Sequence, residues 1–89
     1  MAADKLGYKK VTNGVPLVKS GPSGFFGLTG VGAVAACVVY DNTSATGDVL
    51  WSGALTAGQV VHFGGLGMAA KNGIFVTVAG AEVVNVLYT

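Results

Sequence analysis

Gly73-Ile-Phe-Val-Thr-Val-Ala-Gly-Ala-Glu-Val-Val-Asn-Val-Leu-Tyr-Thr89 is the stretch that decides the fold. In Ile74–Val78, Ile74, Val76 and Val78 point one way, while Phe75 and Thr77 point the other, as the period of two in an extended strand requires. Ala79-Gly80-Ala81 supplies a turn. A second alternation follows, with Val84, Val86 and Tyr88 on one side and Val83, Asn85, Leu87 and Thr89 on the other. Both faces of this hairpin are largely apolar, so it predicts two strands that belong to a layered all-β structure.

Working outward, the rest of the chain repeats the pattern. Gln59–Phe63 alternates His62 and Val60 against Phe63 and Val61, and Val49–Ala54 carries Trp51 as its largest apolar group. Between Ala33–Tyr40 and Val49 lies Asp41-Asn-Thr-Ser-Ala-Thr-Gly-Asp48, a run of turn formers that predicts a hairpin. Ala33–Tyr40 contains no polar interruption except its terminal tyrosine and reads as a sheet centre buried on both faces. Phe25–Val31 reads as a glycine-rich strand, and Gly64–Asn72 as the longest connection in the body. Residues 1–22 read as an N-terminal arm or edge strand held by neighbouring molecules, since Pro16 removes a backbone donor and excludes a central position. Seven short strands joined by glycine turns specify an all-β, small antiparallel β-sandwich or jelly-roll-like domain over 23–89, with an extended N-terminal arm.

Composition narrows the function. The chain has 89 residues, one cysteine and one histidine, so neither a disulfide nor a structural zinc site can staple it. A domain this small buries a modest share of its surface, and partner subunits are the remaining means of support. Only 10% of residues are charged and none is arginine, against about a quarter in ordinary domains. Lys5, Lys9, Lys10 and Lys19 crowd the first twenty residues, whereas the remainder has Lys71 against Asp41, Asp48 and Glu82. That balance argues against nucleic acid as a partner. It favours a surface covered by other protein.

Several signals point elsewhere and are weaker. Gly21–Tyr40 is uncharged and of membrane-span length, but five glycines and Pro22 interrupt any helix there. Val34-Ala-Ala-Cys37 spells a lipoprotein box behind a leader that is too long, so no membrane role and no removed leader are expected. Asp41 and Asp48 are read as turn residues that cap amides, since two carboxylates fall short of a calcium shell. His62 is the one possible base for Ser20, Ser23, Ser44 or Ser52, and nothing marks a strained nucleophile. Gly65, Gly67 and Ala70 fit a dinucleotide fingerprint, yet no helix has room to follow. No enzyme activity, cofactor or metal is expected.

From Ala36 onward the chain resembles small virion proteins of tailed bacteriophages. The likeness rests on VVYDNTSATG (38–47), on DVLWSGALTAGQVVHFGG (48–65), and on KNGIFVTVAG followed by AEVVNVLYT (71–89). It implies a β-sandwich that decorates or joins parts of the virion without catalysis. The expected function is therefore a capsid decoration, or cement, protein on the capsid surface, bound to the major capsid protein or other virion subunits. A homo-oligomer, a trimer before other states, is the expected form. Neck or tail placement and a carbohydrate-binding or adhesin-like module using Trp51 are the alternatives. Candidate partner-binding residues are Lys5, Lys9, Lys10, Lys19, Trp51, Gly65, Leu66 and Met68.

Overall fold

In a computed structural model, residues 7–63 and 67–89 are described. They form nine strands and no helix: β1 (Gly7–Val11), β2 (Leu17–Ser20), β3 (Ser23–Gly30), β4 (Val34–Tyr40), β5 (Val49–Leu55), β6 (Val60–His62), β7 (Met68–Ala70), β8 (Gly73–Thr77) and β9 (Val84–Tyr88). One sheet has the order β1-β9-β3-β6, with β7 also paired to β3, and the other has the order β2-β8-β4-β5. Every strand pairing is antiparallel. The pairs β4·β5, β3·β6/β7, β2·β8 and β1·β9 nest one inside the next along the chain. That nesting is the winding of a jelly roll, in which a long antiparallel hairpin is folded over into two packed sheets.

Alternation decides the core. Val11, Phe25, Leu28, Val84 and Val86 from the first sheet meet Val18, Val34, Cys37, Val39, Leu55, Ile74 and Val76 from the second, all buried. The expected grouping of Ile74, Val76 and Val78 on one inward side is the one observed. The rings of Phe25 and Phe63 pack 5.2 Å apart at a tilt of 57°, a favourable edge-biased geometry.

Three expectations need correction. Residues 7–20 hold two strands rather than one, β1 at the edge of one sheet and β2 at the edge of the other, and with β7 nine strands replace seven. Their inward residues Val11 and Val18 belong to the core, and neighbouring lysines masked that signal in the sequence. Pro16 lies between the two, where its carbonyl accepts the Val76 amide at 2.9 Å. Second, β4 is central in its sheet but buried on one side only, because Ala35 and Ala36 are exposed. An uninterrupted apolar run shows that neither face is polar, not that both are covered. Third, the segment 64–72 contains β7, whose three residues pair with Ser23–Phe25.

Gly73 shows why one glycine is needed where β7 turns into β8. Its φ is +145°, and a Cβ there would sit 2.6 Å from the Lys19 carbonyl oxygen.

Candidate interaction surface

Residues directly opposed across antiparallel strands share a face. On the outer side of the second sheet, the register aligns Leu17 with Phe75, Phe75 with Tyr40, and Tyr40 with Val49. One apolar row thus crosses all four strands. A second row aligns Thr77 with Val38 and Val38 with Ser52. Neither row contains a charged group. Leu17 is 38% exposed and Val49 51% exposed, so the ends of the first row stand open to water, while Phe75 and Tyr40 are half-buried between them. A shallow groove bordered by Asn13, Pro16, Phe75, Thr77 and Val78 extends this surface beyond the short β2 strand.

The loops around the surface are fixed by carboxylates. Asp41 is buried at the end of β4, and its Oδ1 accepts the Asn72 amide at 2.8 Å. The Asn72 carbonyl in turn accepts the Gly21 amide at 3.1 Å, tying three turns together. Hydrogen bonds from the backbone of Asn72, Lys71 and Gly73, together with the Lys71 charge, hold the Asp41 carboxyl below its ordinary value despite its burial. Asp41 and Asp48 close the hairpin loop through the Asp41 amide and the Asp48 carbonyl at 2.8 Å. Asp41 therefore acts as the expected amide cap.

Glu82 plays the same part at the other end of the sandwich. Its carboxylate accepts the Ala35 amide at 2.9 Å and the Ala79 amide at 3.1 Å, which lowers its pKa. Cys37 points into the core, and burial, helped by the Glu82 charge, pushes its thiol up to about 11. A protonated, enclosed thiol is a packing group in the folded chain, not a nucleophile. Among the described residues no three His, Cys, Asp or Glu side chains gather as a metal site, and no helix is long and apolar enough to cross a membrane.

Among the described residues, those singled out from sequence are spread over β1, β2, β5 and β7. Lys9 and Lys10 lie on β1 and Lys19 on β2, where the Lys19 Nζ donates to the Thr89 carbonyl at 3.4 Å. Trp51 lies on β5 and Met68 on β7, edge strands of different sheets, and both are half-buried and packed against the core. Lys5, Gly65 and Leu66 fall outside the described residues. Sequence reading missed Leu17, Tyr40, Val49 and Val38 as a group. Phe75 and Thr77 were visible as the outward side of their strand, but the register that joins them to the other strands was not.

Compared with family models, with curated proteins and with solved structures, the chain matches none.

Proposed function

We propose that this chain is a virion structural protein, a capsid decoration or cement protein that binds the head of a tailed phage by protein–protein contacts and performs no catalysis. The observation that carries this reading is the uncharged outer face of the β2-β8-β4-β5 sheet, with its row Leu17, Phe75, Tyr40, Val49. A charge-free face of aromatic and branched side chains loses little on leaving water and gains by burial, at about 25 cal/mol per Å² of apolar area. The jelly-roll winding is consistent with the proposal, since capsid components use it, although lectins and cupins share that winding and it specifies no function alone. The phage-like hairpin sequence, VVYDNTSATG into DVLWSGAL, lies on the two strands that carry Val38, Tyr40, Val49 and Ser52.

Major capsid protein is the proposed partner, and the capsid surface the proposed location. Mixing the purified chain with undecorated heads tests this: saturable binding that raises the temperature at which the heads come apart is the expected result. Heads that neither bind the chain nor gain stability would rule it out. Density for the chain at the neck or tail of a virion would move the same role to that site.

A further inference from the structure

Four edges end the two sheets, and three carry devices that deter a foreign strand. β1 bears Lys9 and Lys10. β2 is four residues long, follows Pro16, carries Lys19 and has a register shift. The last edge of the first sheet is split into β6 and β7, three residues each, bordered by His62 and Lys71. Short strands, lysines, proline and bulges are the usual ways of blunting an edge.

β5 has fewer of these. Val-Leu-Trp-Ser-Gly-Ala-Leu is seven residues long, the longest of the edge strands, and contains neither a charge nor a proline. Its ladder to β4 shifts register twice, with one extra residue on β5, Leu50, between the partners of Val39 and Tyr40, and one extra residue on β4 between Val34 and Cys37, opposite Ala54. Ser52, Gly53 and Ala54 are exposed. Among the described residues, no strand or turn backbone bond occupies its outer side. Seven residues at about 3.3 Å each give an open edge of roughly 23 Å.

We propose that β5 pairs antiparallel with β5 of a second copy of this chain, joining two four-stranded sheets into one of eight strands. A second copy offers an uncharged strand of equal length to match it, and charge selects the direction. Asp48 precedes the strand at one end, and the uncharged Thr56, Ala57 and Gly58 follow it at the other. With a two-fold axis near Ser52, Asp48 of each copy lies opposite Thr56 of the other, whereas parallel in-register pairing would oppose Asp48 to Asp48. A two-fold perpendicular to the sheet also keeps both outer faces on one side. The two uncharged outer faces then lie side by side, doubling the area available to a larger partner. Such an isologous contact closes at two copies.

Sedimentation and native mass measurement of the full chain test the pairing. The expected result is a dimer, and Ser52→Lys combined with Ala54→Lys, at two exposed positions, should weaken it roughly 100-fold by setting like charges against each other. In the unsubstituted chain, β5 amides should exchange more slowly as protein concentration rises, a measurement that decides the matter even if the double variant fails to fold. A monomer at millimolar concentration, a trimer, a dimer indifferent to both lysines, or β5 exchange independent of concentration would each overturn the pairing. So would a β5 edge that is protected only by a strand of another protein. Head binding by a chain that stays monomeric would remove this inference and leave the proposed function standing.

Discussion

On the outer face of the β1-β9-β3-β6 sheet, the register lines up Tyr8, Leu87, Gly27 and His62 in one row and Lys10, Asn85, Thr29 and Val60 in the next. The corresponding rows of the other sheet are Leu17, Phe75, Tyr40, Val49 and Thr77, Val38, Ser52. The first face mixes a lysine, a histidine, an asparagine and a threonine with its apolar groups, and it can meet water as it stands. The second holds only apolar and hydroxyl-bearing residues. The buried core side chains of both sheets are apolar, so the difference is not a matter of core building. Under the proposed function, it marks the outer surface that a partner would cover.

The largest expected effect separates inside from outside at two adjacent residues. Ile74→Ala, which empties a fully buried position, should cost about 2–5 kcal/mol in denaturant unfolding. Phe75→Ala, one residue on and half-buried, should cost the isolated chain about 1 kcal/mol. Equal losses would mean that the outer face is part of the folding core, and the contrast between faces would collapse.

Next comes the contrast between the outer faces themselves. Phe75→Lys or Tyr40→Lys should weaken head binding roughly 100-fold, as for a central interface residue, while Thr29→Lys on the other sheet should leave it within about twofold. If Thr29→Lys proves the damaging change, the binding face has been assigned to the wrong sheet.

Asp41 sharpens the comparison by testing whether the loops at the end of the uncharged sheet are held from within. Asp41→Ala leaves the Asn72 amide unpaired and should cost about 1–3 kcal/mol. Because the folded Asp41 and Glu82 pKa values lie below their ordinary 3.8 and 4.5, the unfolded chain binds protons first on acidification. Their contribution is complete above the ordinary values and is lost as pH falls through the depressed ones. A urea midpoint that falls below about pH 4.5, and falls less steeply in Asp41→Asn, is the expected titration. A midpoint unchanged between pH 5 and pH 2 would contradict it. The smallest effect belongs to Lys10→Ser on the mixed face, where unfolding should shift by less than about 0.5 kcal/mol and head binding should not change.

The strands, the turns and the sidedness of Ile74, Val76 and Val78 were legible because a period of two is a local property that each strand displays alone. The Asp41 cap was legible for a similar reason, since aspartate at the start of a glycine-containing loop has few other uses. Val11 and Val18 were less visible as core residues, because Lys9, Lys10 and Lys19 beside them suggest a solvated arm. β7 escaped notice, since three residues are too few to show a period.

By itself, then, the sequence determined an all-β chain without disulfide or zinc staple, poor in charge, with alternation that buries one side of each strand. Tertiary structure decided which strands became neighbours. The nesting of β1 with β9 and β2 with β8 joins residues far apart in the chain, and no local pattern encodes that register. Only through it do Leu17, Phe75, Tyr40 and Val49, from four separate segments, become one surface. The edge left at β5 has the same origin, because a strand is an edge only by virtue of where every other strand has gone.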